Sequence, residues 1–306
     1  MSNSDPAGAP DERAGIVFAG TAYVFWGVLP IYWHMLAAVS PFQVTAARVL
    51  FAVLFVGVVT LARRRWSRVL SVLTTPAIAR NLLASAGLIA VNWTVYVYAA
   101  ASDQLVEASL GYYILPLLSI ALGVMLFGEH LSRVRLFALA LAAVAVVVQT
   151  MEVGHLPWIA LALAFSFGFY GYFRKLTPVD PLDGLLIETL ILLPFVLGLV
   201  VYWIGEGTLA FGRESLLHDA MLVGAGPVTA IPLSMFAAGA RRIRLSTLGF
   251  LQYLAPSITL VVATLLYREP FTLVHTITFA CVWSALALVA AEGRIGRFRL
   301  RMPADK

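Results

Sequence analysis

The sequence has little charge for its length. Only 12% of its 306 residues are Asp, Glu, Lys or Arg, whereas 61% are hydrophobic. A soluble domain usually carries about 25% charged residues, because its surface faces water. The shortage therefore excludes an ordinary soluble domain and predicts a chain whose surface faces mainly lipid.

Cysteine and the usual catalytic motifs are also scarce. The single cysteine, Cys281, lies inside an apolar run, so the chain offers neither a disulfide framework nor a thiolate metal site. The sequence has no H-E-x-x-H spacing and no glycine loop followed by a phosphate-binding lysine. We therefore expect no metal, no cofactor, no ATP-driven pump and no enzyme.

Long apolar runs are what the sequence does contain. A helix needs about 20 predominantly apolar residues to cross the hydrocarbon core. Ten runs meet this need: 15–39, 41–62, 81–101, 106–128, 136–153, 156–173, 181–204, 219–240, 246–267 and 273–291. We therefore predict an all-α integral membrane protein with ten transmembrane helices. The predicted ends are a disordered cytoplasmic tail, 1–14, and a basic cytoplasmic tail, 293–306.

The basic residues are concentrated in alternate connections. All but three of the 21 Lys and Arg residues fall on the side of the amino terminus; the exceptions are Arg213, Arg268 and the intramembrane Arg48. Basic loops stay in the cytoplasm, so both termini are predicted to be cytoplasmic. The same distribution accounts for the net charge of +5 without a nucleic-acid partner.

The second half of the chain repeats features of the first at a fixed offset. Tyr113 precedes Pro116 by three residues in the fourth span, as Tyr253 precedes Pro256 in the ninth, and the offset is 140. A unit of five helices has an odd number of spans, so its second copy must enter the membrane inverted. The two predicted units are residues 15–153 and 156–292. Inverted repeats are a recurrent architecture of alternating-access carriers.

Three stretches are similar to a known family. They are EASLGYY at 107–113, ALAFSFGFYG at 162–171 and LSTLGFLQY at 245–253. In these stretches, and over nearly its whole length, the chain resembles the RarD proteins of the EamA family, in the drug/metabolite transporter (DMT) superfamily. The resemblance implies two EamA-type five-helix repeats, a bacterial inner membrane, and export or exchange of small metabolites or drugs.

Three ionisable residues lie within the predicted spans or at their edges, where charge is costly and usually functional. Arg48 and Glu188 are each about 10 Å deep from opposite faces, and Glu107 lies at the outer mouth of the fourth span. We hypothesise two alternating gates. One pairs Arg48 with Glu107. The other pairs Glu188 with Arg242 or Arg244. The alternatives are static pairs that lock helices together, or snorkelling side chains.

Aromatic and amide side chains recur in the first, third and fourth spans and in their repeat counterparts. Such groups can bind an amphipathic solute by stacking and hydrogen bonding, although interface anchoring or helix packing explains the same pattern. The candidates are Trp26, Asn92, Trp93, Tyr96, Tyr112, Tyr113, Tyr170, Gln252 and Tyr253. Pro116 and Pro256 are predicted hinges, because proline removes a backbone donor and weakens the helix.

These features predict a secondary transporter, an exporter or exchanger of small metabolites or amphipathic drugs that works by alternating access. Its partners are a small-molecule solute and the lipid bilayer, with protons as a candidate coupling ion. The alternative is a membrane-embedded protein that does not transport, either a scaffold or an enzyme-like protein. The sequence leaves the solute and the oligomeric state open.

Overall fold

The chain is folded into α-helices. The computed structural model describes residues 12–102, 104–153, 157–213, 215–266 and 273–299. Within these ranges there are twelve helices and no strand. They are α1 (Glu12–His34), α2 (Pro41–Ala62), α3 (Trp66–Leu73), α4 (Pro76–Ala101), α5 (Leu105–Phe127), α6 (Arg133–Val153), α7 (Trp158–Leu176), α8 (Pro181–Gly205), α9 (Leu216–Ala240), α10 (Leu245–Gln252), α11 (Leu254–Leu265) and α12 (Leu273–Arg299).

Six of the described helices are long and apolar enough to cross a membrane: α1, α2, α4, α5, α8 and α9. The all-α membrane fold is therefore confirmed, and the chain is a multi-pass membrane protein. Helix α1 begins at Glu12 and α12 continues to Arg299, so both helices extend beyond the apolar runs into the ranges predicted as tails; the remainder of each range lies outside the described residues. Residues 12–15 and 291–299 contain no proline that would end the helix at the limit of the apolar run.

Helix α3 was not predicted. It is too short to cross a membrane and connects α2 to α4. Trp66 and Leu70 are exposed, whereas Val69 is buried. A short helix with one buried and one exposed apolar edge, next to exposed arginines, is typical of a segment that lies along the membrane surface.

The ninth apolar run forms two helices instead of the single one predicted. Helix α10 ends at Gln252, and α11 begins at Leu254. Pro256 has no N–H to donate to the Gln252 carbonyl oxygen, and Tyr253 N bonds Phe250 O at 3.3 Å in a tighter turn. Helix α5, in contrast, continues through Pro116 without a break.

Contacts between distant segments assemble the bundle. Helix α1 packs against α9 and α11, α7 packs against α4 and α5, and α2 packs against α8 and α9. Helix α5 also packs against α10, and α6 against α12. The approach of α9 to α2 is very close, because a Cβ atom added at Gly226 would lie 2.2 Å from the main-chain carbonyl carbon of Phe51. Glycine at 226 is therefore a condition for this contact.

The two ends of the bundle differ in charge. We call one the basic end; it contains residues 63–68, 128–135, 174–183 and 241–246, which are rich in arginine. We call the other the opposite end; it contains the α1–α2 connection, 35–40, and the α8–α9 connection, 206–213. Every ion pair between described side chains lies in the basic half.

Candidate functional site

Arg48 lies between aromatic rings in the half of the bundle nearer the opposite end. Its Cζ atom is 4.7 Å from the ring centroid of Trp93 and 5.1 Å from that of Trp33. Its Nε donates a hydrogen bond to Thr229 Oγ1 at 3.0 Å. Among the described residues, two ionisable groups, Tyr96 and Tyr112, lie within electrostatic reach of it. We call Arg48, Trp33, Trp93, Tyr96, Tyr112 and Thr229 the Arg48 cage.

The Arg48 cage holds a cation without a carboxylate partner among the described side chains. The terminal nitrogens of Arg48 make no hydrogen bond to a described residue, and the side chain as a whole is partly exposed. Cation–π contact with two indoles contributes about 0.5–2 kcal/mol each. That interaction stabilises the cation in the membrane while leaving its hydrogen-bond donors available to a ligand.

An aromatic cluster lies between the Arg48 cage and the basic end. Tyr170 stacks on Phe236 with ring centroids 5.9 Å apart, and Trp26 lies 5.8 Å from the same ring. Phe167 contacts Phe236 and Trp26 at 5.1 and 5.6 Å. These rings come from α1, α7 and α9, so the cluster fills the space between three helices.

Glu188 lies in the basic half and is fully enclosed. It pairs with Arg174 Nη1 at 3.3 Å, and each side chain is 1% exposed. The hydroxyl groups of Ser85 and Tyr170 donate to the same carboxylate. Gly184 leaves room for the arginine, because a Cβ atom there would lie 2.2 Å from Arg174 Nη1.

The predicted partner of Glu188 was therefore wrong. Arg174 on α7 takes the place assigned to Arg242 or Arg244, because the short α7–α8 connection holds the end of α7 beside the start of α8. Arg242 instead donates to Ala238 O at 2.7 Å, and Arg244 is exposed.

Ion pairs and hydrogen bonds join the connections at the basic end. Arg65 Nη2 lies 2.9 Å from both Asp180 Oδ2 and Asp183 Oδ2. Burial opposes the charge of Asp180, but the hydrogen bond and charge of Arg65, together with the backbone N–H groups of Leu182 and Asp183, outweigh burial and hold the pKa of Asp180 below its ordinary value. Lys175 donates to Ala240 O at 3.2 Å and also to Ile243 O. The α2–α3, α7–α8 and α9–α10 segments are thus tied together.

Glu129 adds a further tie at the same end. Its Oε1 accepts a hydrogen bond from Leu245 N at 2.7 Å. Its Oε2 accepts from Ser246 N at 3.0 Å and from Ser246 Oγ at 2.6 Å. A carboxylate is stabilising at a helix N-terminus, where the first N–H groups lack intrahelical partners. Glu129, the second residue after α5, therefore caps α10.

Comparison with known proteins identifies the family. The sequence model of the EamA-like transporter family matches residues 13–151. An uncharacterized transporter of Vibrio cholerae is 40% identical over 283 residues, which cover 92% of this chain and 94% of that protein. The chain belongs to the EamA-like transporter family. Within it, the protein RarD of Escherichia coli is 38% identical over 285 residues, which cover 93% of this chain and 96% of RarD.

A solved structure supports the same fold. A crystal structure of another protein superimposes with a TM-score of 0.69 at 21% sequence identity, covering 92% of this chain and 98% of that one. The similarity to RarD proteins that the sequence motifs indicated is thus confirmed. Membership of the EamA-like family makes the chain one of a group of bacterial membrane transporters.

The structure brings some of the predicted site residues together in this EamA-like chain. Trp93, Tyr96 and Tyr112 belong to the Arg48 cage. Tyr170 contacts Glu188, and Trp26 belongs to the aromatic cluster. The side chain of Glu107 is outside the described part of the structure, so the predicted pair between Arg48 and Glu107 stays a prediction.

The remaining candidates contact neighbouring helices. Asn92 Nδ2 donates to Leu163 O and Ser166 Oγ, each at 3.0 Å. Gln252 Oε1 accepts from Ser119 Oγ at 2.9 Å. Both amides therefore join neighbouring helices, and neither makes a hydrogen bond to Arg48.

Sequence reasoning missed four residues around the two charged centres. Trp33 and Thr229 belong to the Arg48 cage, and Ser85 and Arg174 contact Glu188. Arg174 precedes Lys175 at the end of a span, and the pair was interpreted as topology-determining charge. The useful signal was its helical spacing, since Arg174 follows Tyr170 by about one turn on α7.

Proposed function

We propose that the protein is a secondary transporter that moves a small solute by alternating access, with the Arg48 cage as the solute site. One observation carries the proposal. An intramembrane guanidinium in the half nearer the opposite end makes no hydrogen bond from its terminal nitrogens to a described residue, while an ion pair and stacked aromatic rings lie between it and the basic end. Intramembrane cations of this kind usually mark solute or ion pathways.

The helix contacts support ten spans in two inverted five-helix units, 15–153 and 156–292. Counting α10 and α11 as one broken span, and α3 as a surface helix, gives ten. In the proposed repeat each helix of the first unit has an equivalent in the second: α1 and α7, α2 and α8, α4 and α9, α5 and α10–α11, and α6 and α12. When equivalents are exchanged, the α4–α7 contact becomes α9–α1, and the α5–α7 contact becomes α11–α1; all four contacts occur. The contacts α2–α8, α5–α10 and α6–α12 join equivalent helices and are therefore unchanged by the exchange. Such symmetry is expected of an inverted repeat.

The charge distribution gives the proposed orientation. The basic end contains many arginines. In the described connections of the opposite end, Arg213 is the one Lys or Arg residue. Short loops rich in Lys and Arg stay in the cytoplasm. We therefore assign the basic end, with both termini, to the cytoplasm of a bacterial plasma membrane.

The described conformation is then the one that admits solute from outside. Opening to the cytoplasm requires separation of α7 from α8, and hence of Arg174 from Glu188. Protonation of Glu188 would remove one charge of this pair and ease its separation. Glu188 is therefore our candidate for coupling transport to protons, and the Arg174–Glu188 pair is the proposed inner gate.

Counterflow in proteoliposomes tests the proposal. Vesicles loaded with an unlabelled solute are diluted into a solution of the same solute in labelled form. The solutes, tested one at a time, are amino acids, other metabolites and chloramphenicol-like drugs. We expect saturable accumulation of at least one panel member, absent from empty vesicles and reduced by Arg48→Gln. Arg80→Gln, which removes an exposed arginine of α4, is the matched control. Folded protein that gives no counterflow with any member contradicts transport of these solute classes.

A further inference from the structure

We infer that the solute recognised by the Arg48 cage is an organic monoanion, a single carboxylate attached to a flat apolar body. The inference rests on the proposed function for its place in a transport cycle, but the binding chemistry follows from the cage itself.

The charge of the cage indicates one negative charge on the ligand. Among the described side chains that surround it, Arg48 is the one that carries a charge, since the others are tryptophan, tyrosine and threonine side chains. In a site partly excluded from water, an unpaired charge is costly. A monoanion cancels the guanidinium charge, whereas a phosphate dianion leaves one negative charge uncompensated and a neutral solute leaves the cation unpaired.

The donor geometry favours a carboxylate. The bond from Nε to Thr229 Oγ1 fixes one edge of the guanidinium plane. The terminal nitrogens, Nη1 and Nη2, keep their N–H groups without a described partner. Arginine binds a planar carboxylate through two parallel N–H···O bonds, which adds geometric selectivity to the charge. Thr229 therefore acts as a positioning residue for this fork.

The walls of the cage favour a flat apolar body. Tyr112 is 44% exposed although it lies within a membrane helix and near a cation. Trp33 and Tyr96 are partly exposed as well. Aromatic side chains bind flat rings by offset or edge-to-face stacking. A ring attached to the carboxylate by a short link would contact these faces while its charged group binds Arg48.

Equilibrium binding to purified protein in lipid nanodiscs tests the ligand class. The probes are indole-3-acetate, its neutral amide indole-3-acetamide, and phenyl phosphate. We expect the carboxylate to bind at least about 10-fold more tightly than the amide, since hydrogen bonds to charged groups are the strong ones. Phenyl phosphate should bind more weakly than indole-3-acetate.

Variants test which side chains cause the preference for the carboxylate over the amide. Arg48→Gln should abolish the preference for the carboxylate, and Arg48→Lys should retain only part of it, because lysine keeps the charge without the planar fork. Thr229→Val should weaken carboxylate binding without affecting the amide. Arg80→Gln should bind like the unaltered protein. Near-UV circular dichroism and gel filtration check that each variant is folded.

The possible results separate the ligand class from the transport role. Equal binding of carboxylate and amide, a preference that survives Arg48→Gln, tighter binding of phenyl phosphate, or no carboxylate binding at millimolar concentration would each overturn the inference. Arg48-dependent carboxylate binding without counterflow would contradict the transport proposal and keep the ligand class. Counterflow that depends on Arg48 but is restricted to neutral or cationic solutes would overturn the ligand class and keep the transport proposal.

Discussion

The hydroxyl group of Tyr253 donates a hydrogen bond to the main-chain carbonyl oxygen of Tyr113, 3.3 Å away and 140 positions earlier in the chain. Both side chains are buried where α5 packs against α10. The same offset relates these tyrosines in the sequence repeat. Equivalent residues contact each other where they lie close to a two-fold axis, so this bond agrees with the proposed inverted repeat if its axis passes between α5 and α10.

Removal of one member of the Arg174–Glu188 pair should strongly destabilise the fold. Arg174→Met leaves Glu188 without its cation in an enclosed site, and loss of one partner from a buried pair costs about 3–5 kcal/mol. The double variant Arg174→Met/Glu188→Met should recover much of this loss. Thermal unfolding in detergent measures the three variants. A double variant less stable than Arg174→Met would show that the pair itself holds α7 against α8.

The same carboxylate allows a test of coupling. Glu188→Gln keeps the shape of the side chain, and its amide oxygen can still accept from Ser85 or from Tyr170, but it carries no charge. If Glu188 couples transport to protons, this variant should exchange solute across vesicles while losing accumulation driven by a pH gradient. Normal proton-driven uptake by Glu188→Gln would eliminate Glu188 as the coupling residue.

Glu129→Ala should loosen the first turn of α10. The substitution removes the acceptor of Leu245 N, Ser246 N and Ser246 Oγ. Loss of a helix cap costs about 1 kcal/mol, so hydrogen exchange of peptides covering 244–250 should accelerate about fivefold. Mass spectrometry after deuterium labelling measures the rate. Unchanged exchange there would mean that these amide groups do not depend on Glu129.

Gly226→Ala should separate α9 from α2. The added methyl group would meet main-chain atoms of Phe51, which cannot rotate away as a side chain can. Overpacking costs about 1–3 kcal/mol, and it should also weaken carboxylate binding by moving Thr229 away from Arg48. Gly198→Ala is the matched control, because a Cβ atom there meets no neighbour within 4 Å. Equal melting temperatures for the two variants would contradict the close contact.

Cysteine labelling should establish the orientation. In a Cys281→Ala background, Leu216→Cys places a thiol at the opposite end and Arg68→Cys places one at the basic end; both positions are exposed. A membrane-impermeant maleimide applied to intact cells should label Leu216→Cys only. Permeabilised cells should show labelling of both. Labelling of Arg68→Cys in intact cells would reverse the proposed topology.

The membrane fold could be predicted from sequence because its signal is coarse. Long apolar runs follow from hydrocarbon thickness alone. The break at Tyr253 could not be separated from the continuous helix at Pro116, since the same proline spacing occurs in both and only packing distinguishes them. Helix α3 was not predicted because it is short and lacks the long apolar run of a membrane-spanning helix.

The candidate site was predicted in part. Arg48 and Glu188 stood out because charge within a span is rare. Their partners did not, since a buried Arg174 and a surface arginine read alike in the sequence, and no spacing rule links Thr229 on α9 to Arg48 on α2. Long-range contacts of this kind follow from helix packing, which a single sequence does not specify.

The difference between straight α5 and broken α10–α11 has an energetic consequence. In the proposed cycle the two repeat units exchange shapes, so the inward-facing state contains one straight and one broken helix, as the outward-facing state does. The strain energy that one repeat unit loses when its helix changes shape is gained by the other unit. The two end states then lie close in free energy, and a solute needs only a modest difference in affinity to shift the population from one to the other.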